Sequence, residues 1–253
     1  VTSPFLPNVL VLGGTAEARD LAARLHAQGY AVTSSLAGRV SQPRLPVGAV
    51  RVGGFGGEAG LAAYLSETAT THLVDATHPF AATMSQHAAR AAERTGVPLV
   101  RFARPGWAEH PDAGRWTWVE SHEEAAALAA GGSRPFLTTG RQTLSGYAAR
   151  AGLAGLPVLV RVVEEVDEEL PEGWTVVRDR GPYTVEGEMR LMREHGTDLV
   201  VTKDSGGDYT SAKLDAAREV GARVVVVRRP ATVPGVTAVE DLDDVVGWVT
   251  GRA

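Results

Sequence analysis

The sequence predicts an α/β protein made of two doubly wound units with mainly parallel sheets. Three observations predict it. Short β-type runs alternate with helical patterns along nearly the whole chain, and the runs are apolar on both faces, as strands covered by helices on each side are. The alternation breaks once, at "ARPGWAEHPDAGRW" (103–116), whose proline, glycine and polar content suits a domain boundary. The expected units are therefore 1–104 and 105–253.

In the first unit, "NVLVL" (8–12) gives a strand, Gly13 and Gly14 a turn, and a helix begins near Thr15. Ala18, Leu21, Ala22 and Leu25 then fall on one face at three- and four-residue intervals, as a helix lying on a sheet requires. Further strands are expected at 31–36, 49–52, 72–76 and 98–102, with helices at 16–28, 58–67 and 80–95. In the second unit strands are expected at 135–139, 157–163, 174–178, 198–202 and 223–227. Helical patterns there cover 122–130, 184–195, 208–220 and 239–249, and no convincing repeat links the two halves.

At 253 residues and 44% hydrophobic content the chain can bury an ordinary core. It has no cysteine, which removes disulfides, thiolate-ligated zinc, iron–sulfur clusters and a cysteine nucleophile; no metal is expected. The start "VTSPFLPN" lacks a basic region followed by an apolar core, and no apolar run approaches the roughly 20 residues that cross a bilayer, so a cytoplasmic protein without a membrane partner is expected. The formal charge of −5 is more than accounted for by six acids within "EEVDEELPE" (164–172), read as a solvated loop or helix face. The bases are 23 Arg and two Lys. Arginine suits carboxylates and phosphates because its planar fork donates two parallel hydrogen bonds. Nucleic acid is disfavoured as a partner by the slightly acidic balance and the lack of a basic stripe or stacking motif.

The turn "VLGGTAEAR" is a relaxed form of the dinucleotide fingerprint, with Gly13, Thr15 and Ala18 at its three key positions and Gly14 beside the second. Its setting, strand before and helix after, points to nucleotide phosphate at the helix N-terminus, with the Thr15 hydroxyl as a further donor. An acid at the end of the second strand would take the ribose 2′-hydroxyl of NADH. Ser34, Ser35 and Arg39 stand there instead, which favours NADPH.

Taken together and in order, "LGGTAEAR", "SLAGR", "GGFGG", "VDATHPFA", "TTGR", "RGPY" with "EGE", and "TKDSGG" resemble the precorrin-6A reductase family of cobalamin biosynthesis over almost the whole chain. The resemblance implies two Rossmann-like units with an active-site cleft between them. It further implies NADPH as cofactor and a polycarboxylate tetrapyrrole as substrate. The reaction would reduce one double bond of the macrocycle, with hydride going to C19 and a proton to C18, giving precorrin-6B. Transient contact with neighbouring enzymes of the pathway is the protein-level partnership expected.

Nearly every motif lies just after an expected strand, where ligands of open α/β sheets bind. "GGFGG" follows the third strand and would bring backbone amides to cofactor or substrate as a cover, with Gly54 toward the cofactor and Phe55 toward the substrate. In "DATHPFAAT", Asp75 and Thr77 are expected at the cofactor. His78 would sit at a helix N-cap with Pro79 first in the helix, contacting the nicotinamide region or a substrate carboxylate, or supplying a proton. Thr138, Thr139, the Gly140 amide and Arg141 offer donors to a carboxylate in the second unit, and Lys203, Ser205, Gly206 and Gly207 do so ahead of a helix starting near Asp208. Arg180 and Tyr183 would flank the macrocycle, while Glu186 and Glu188 serve a first helical turn. The candidates for the proton donor are, in order, His78, Asp204 and Tyr183, with solvent as the alternative because the conjugated ring itself accepts electrons.

Tyr209 and Lys213 have the Y-x-x-x-K spacing of short-chain dehydrogenases, but the position for the accompanying serine falls near Gly196 and the glycine turn has another pattern. Three other functions remain on the page: an NADH-linked reductase of the cobalt-bearing ring, another NADPH-dependent reductase of a polycarboxylate, and a non-catalytic dinucleotide sensor. The sensor is disfavoured because anion-binding turns occur in both units.

Overall fold

The computed structural model describes residues 7–38 and 44–252, the Asp208 side chain excepted. The chain starts with β1 (Asn8–Leu12), α1 (Ala16–Ala27), β2 (Ala31–Leu36), β3 (Ala49–Val52), α2 (Gly57–Glu67), β4 (His72–Asp75), α3 (Ala82–Thr95) and β5 (Leu99–Phe102). Successive strand residues point to opposite faces, so a strand covered twice must be apolar throughout. Val9 and Val11 join Val32, Val74 and Val100 beneath α1, whereas Leu10, Leu12 and Leu73 lie beneath α2 and α3. Helix α1 buries Ala18, Leu21, Ala22 and Leu25, the face its spacing predicts. Helix α3 starts at Ala82, later than expected, because a turn in which Ala81 N donates to His78 O at 2.8 Å precedes it. His78 and Pro79 are therefore in that turn and not at the helix cap.

A second sheet follows, built from β6 (Thr117–Val119), α4 (His122–Ala129), β7 (Pro135–Leu137), α5 (Leu144–Ala148), β8 (Val158–Val162), β9 (Trp174–Arg178), α6 (Val185–His195), β10 (Leu199–Lys203), α7 (Ala212–Val220) and β11 (Arg223–Val227). Its order is β6-β11-β10-β7-β8-β9, every pair parallel. Phe136, Leu159, Val200 and Val226 face Met192 of α6 and Leu214 and Ala217 of α7, while α4 covers the opposite face. Strand β6 was not expected: it is three residues long and follows the segment read as a boundary. Residues 208–211 do not open α7, because Asp208–Thr210 form a 3-10 turn. The acidic run 164–172 is the irregular connection from β8 to β9.

From Pro230 the chain returns to the first sheet. Strand β12 (Thr237–Val239) pairs with β5, and α8 (Leu242–Thr250) lies beside α1, placing Val245 and Val249 in the core of Val9 and Leu21. The division is thus residues up to Arg104 plus those from Pro230 in one unit, and Pro105–Arg229 in the other. This corrects the expectation that 105–253 form a single second unit. The expected helix 239–249 had absorbed the end of β12, and the Asp241 side chain, accepting from Asp243 N at 2.7 Å, sets the true helix start.

The completed first sheet runs β3-β2-β1-β4-β5-β12. Counted from β1 and from β7, the two sheets have the same order, and each gains a sixth strand beside its fifth. That strand is β12, from the chain end, in one sheet and β6, from before the first strand, in the other. Strand order reverses between β1 and β4 and between β7 and β10, the switch points at which sheets of this kind bind ligands. Among the described residues no helix is long and apolar enough to cross a membrane.

Candidate functional site

At the first switch point, Gly13 N donates to Ser35 O at 3.0 Å, and Gly14 follows with φ +110°. A Cβ on Gly14 would meet nothing within 4 Å, so this flank of the turn is open space at the N-terminus of α1. Thr15 caps the helix: its Oγ1 accepts from Ala18 N at 3.1 Å and donates to Ala76 O at 3.3 Å. The one hydroxyl proton is directed at the β4 exit, which corrects the expectation that it serves a phosphate.

Asp75, at the end of β4, is buried. Its Oδ1 accepts from Thr77 N at 3.1 Å and Thr77 Oγ1 at 2.7 Å, and its Oδ2 pairs with Arg101, which also donates to Ser85 Oγ. Asp75 and Thr77 thus form a brace of the switch-point loop, with the Thr77 proton turned inward. His78 Nδ1 accepts from Phe80 N at 3.2 Å, which leaves the neutral ring's proton on Nε2.

Ser34 and Ser35 do not stand past the end of β2. The strand runs on to Leu36, both serines are buried within it, and Ser34 Oγ has no hydrogen-bond partner among the described residues. Arg39, the third residue of that expectation, lies outside the described residues.

The "GGFGG" loop is anchored and not an untethered cover. Gly53 N donates to Leu36 O at 2.9 Å, joining the ends of β2 and β3. Arg51 donates through Nη1 to Gly53 O at 2.5 Å and through Nη2 to Gly54 O at 2.7 Å, and its guanidinium lies 3.8 Å over the Phe55 ring. Phe55 meets Tyr64 of α2 edge-on at 5.2 Å. Gly60 is required here, since a Cβ would stand 1.7 Å from Phe55 O. Arg51 was missed in the sequence; its signal was an arginine ending a strand just before an aromatic residue framed by glycines.

At the second switch point, Thr138 N and Oγ1 both donate to Val201 O, at 2.9 and 3.0 Å. Thr139 is buried, and its Oγ1 accepts from Thr143 Oγ1 at 2.9 Å and bonds to Tyr147. The Tyr147 hydroxyl reaches His122 Nδ1 at 3.0 Å. Burial pushes the Tyr147 phenol up and His122 down to about 4, with the Lys203 ammonium adding to the effect on the histidine. This buried string was not visible in the sequence. Lys203 ends β10; its amine, pushed down by burial, lies 3.8 Å from where a Cβ on Gly140 would be. Thr139, Gly140 and Lys203 are therefore brought together.

The next residues are stitched to the start of the same unit. Asp204 is buried, accepting from Trp107 N at 3.0 Å on Oδ1 and pairing with Arg229 Nε at 3.1 Å on Oδ2. Both carboxylate oxygens accept, which removes Asp204 as proton donor. Ser205 N donates to Lys203 O at 2.6 Å and Gly207 N to Pro105 O at 3.2 Å, so these amides are not turned to an anion. A Cβ on Gly206 would stand 2.2 Å from Pro105 O and 2.0 Å from Arg229 Nη2.

Arg141 donates to Glu165 O at 3.1 Å, and Arg180 pairs with Glu164 at 3.0 Å, so both face the acidic connection. Tyr183 donates its hydroxyl to Asp179 O at 3.1 Å, and its ring lies 3.8 Å from the Arg161 guanidinium. Burial raises its phenol, so the hydroxyl holds its proton more tightly, and that proton is directed at Asp179 O; both count against Tyr183 as the acid. Glu188 does more than serve a helix start: it is the buried partner of Arg161, while Thr184 caps α6. Lys213 is buried over Trp107 at 4.6 Å and donates to Thr210 O, while Tyr209 is exposed, so the Y-x-x-x-K spacing forms no catalytic pair.

The strand order and the glycine turn on a capped helix define a doubly wound α/β protein of the dinucleotide-binding type. The chain belongs to the family described as precorrin-6x reductase CbiJ/CobK, whose model matches residues 8–250. It is 47% identical over 246 residues to the precorrin-6A reductase of Rhodococcus erythropolis, covering 96% of this chain and 98% of that one. A cobalt-precorrin-6A reductase of Priestia megaterium is 31% identical over 235 residues, 88% of this chain and 90% of that one. The solved structure of CobK precorrin-6A reductase matches with a TM-score of 0.90 at 40% identity and covers 98% of each chain. The family expected from the seven motifs is thus the family found.

Proposed function

We propose that this chain reduces precorrin-6A to precorrin-6B with NADPH, as a step of cobalamin biosynthesis in the cytoplasm. The observation that carries the reading is the open glycine turn at the β1/β4 switch point, in a chain 47% identical to a precorrin-6A reductase over nearly its full length. The 31% identity to a cobalt-precorrin-6A reductase favours the metal-free ring over the cobalt-bearing one.

The Gly13–Gly14 backbone and the N-terminus of α1 fit a diphosphate. The positive φ of Gly14 and the free volume beside it allow close approach, and the helix end attracts negative charge. When bound there, NADPH supplies the hydride delivered to C19. The Asp75–Arg101–Ser85 brace and the Thr15 bond to Ala76 O hold the two loops of this switch point in place. His78, with its proton on Nε2, is the remaining candidate to protonate C18. In the second unit, Lys203 beside Thr139 and Gly140 binds a carboxylate of the macrocycle, and Arg141 and Arg180 exchange acidic-loop partners for acetate or propionate groups.

Anaerobic oxidation of NADPH and NADH, followed with precorrin-6A and its cobalt-bearing counterpart, tests the reading. NADPH with the metal-free ring should turn over fastest. Faster turnover with NADH and the cobalt-bearing ring would replace it, and dinucleotide binding without oxidation would leave a sensor. His78→Ala should lower kcat by about 100-fold if the imidazole gives the proton. Retained turnover would assign that proton to solvent.

A further inference from the structure

We propose that Arg51 reads the 2′-phosphate of NADPH; the inference rests on the NADPH reading above and names the residue behind it. In sheets of this order the ribose that carries the 2′ group is read at the end of the second strand. Ser34 and Ser35 are buried inside β2 and present nothing there. The end of β2 is joined instead to the residues that follow β3, through the bond from Gly53 N to Leu36 O.

Arg51 stands opposite Ser35 in the register of β2 and β3. Its guanidinium extends past the strand end to the carbonyls of Gly53 and Gly54 and rests on Phe55, 5.4 Å from the Tyr64 ring centre. Two of the five N–H donors are fixed by those carbonyls, which orients the rest of the fork.

Its electrostatic setting is unlike that of the other arginines at strand ends. Arg101 pairs with Asp75, Arg161 with Glu188, Arg178 with Glu165 and Arg228 with Glu120. Among the described residues no carboxylate pairs with Arg51, and Glu58, seven positions on, turns to Arg90 at 3.5 Å. An oriented guanidinium backed by an aromatic ring, with no acid of its own, is prepared for a doubly charged phosphate monoester. Because its rotamer is already held, little ordering is needed on binding. The 2′-hydroxyl of NADH offers it only a neutral acceptor.

The test is direct binding: fluorescence titration with NADPH and NADH, and calorimetry with 2′-phospho-AMP and AMP. Arg51→Ala should weaken NADPH and 2′-phospho-AMP by about 10- to 100-fold and leave NADH and AMP within about twofold. Arg51→Gln retains an amide that can hold the loop carbonyls while losing the charge, and should show the same selective loss even if the alanine variant is poorly folded. Equal weakening of NADPH and NADH in both variants would make Arg51 a loop anchor only and overturn the proposal. So would unchanged binding in both variants, or a selective loss confined to Arg39→Ala. A wild-type chain that fails to prefer NADPH over NADH would overturn the NADPH reading itself, a result visible before any variant is made.

Discussion

The two switch points have the same strand order and opposite interiors. At β1/β4 the turn is short, the helix after it is capped, and Gly14 faces open space. At β7/β10 the strand exits are closed by their own chain: Thr138 bonds across to Val201, Thr139 is buried in a polar string, and the residues after Lys203 are sewn to Pro105 and Trp107. Equal topology therefore does not give equal sites. What separates the two is the space beside their glycines, open at Gly14 and filled by Pro105 and Arg229 at Gly206.

Two glycines with positive φ make the sharpest contrast. Replacing Gly206 by Ala puts a Cβ 2.2 Å from a backbone oxygen, at a φ of +66°. The overpacking and left-handed strain together should cost about 3 kcal/mol, read as an earlier unfolding transition. Gly14→Ala meets no atom and should cost only the conformational strain, about 1 kcal/mol, while weakening dinucleotide binding because the Cβ fills the open flank. If Gly14→Ala binds NADPH like the parent, the open flank is not a ligand approach and the contrast fails.

The features that were legible in the sequence are local ones. "NVLVL" declares a doubly covered strand by itself, and the turn after it carries its glycines, cap and helix face within a few residues. Strands β6 and β12 escaped because, unlike the equally short but fully buried β7, they are edge strands largely uncovered and without an apolar run, and the return of the chain to the first sheet depends on pairing β12 with β5. The span of β2 was legible, but not that Ser34 and Ser35, polar residues near its end, are buried within it. Side-chain partners were the least legible: Arg101–Asp75, Arg161–Glu188 and His122–Tyr147 are 26, 27 and 25 residues apart and meet only through the strand order.

Titratable load also differs between the units. Both lysines of the protein are in the second unit. Lys213 is pushed down to about 7 by burial first and then by the charge of Arg161, opposed by Glu188, with Lys203 acting like Arg161. The unfolded chain keeps this amine protonated up to its ordinary value of 10.5, so between 7 and 10.5 it holds a proton that the folded chain lacks. Stability from this group is therefore full above 10.5 and is lost as pH falls toward 7. The second unit should be about 2 kcal/mol more stable at pH 9 than at pH 7. Tryptophan fluorescence during urea unfolding is a suitable probe, because Trp107, Trp116, Trp118 and Trp174 are in this unit and Trp107 touches Lys213. Lys213→Met should flatten the rise. Equal slopes in parent and variant would mean that the buried amine does not separate the units in this way.

The smallest effect concerns the caps. Thr15 accepts from Ala18 N and donates to Ala76 O, so one hydroxyl both starts α1 and joins the exits of β1 and β4. The residue ahead of α5 in the other unit, Thr143, makes no cap bond and gives its hydroxyl to Thr139 Oγ1 and Gly140 O. Thr15→Ala should cost about 1 kcal/mol of stability, and Thr15→Ser, which keeps both bonds, only a few tenths. The alanine variant should also bind NADPH more weakly than its stability loss explains, since the β4 loop is no longer tied to the turn. A loss of stability with unchanged NADPH affinity would show that the turn stays open without its link to Ala76, and the difference between the switch points would then rest on the glycines alone.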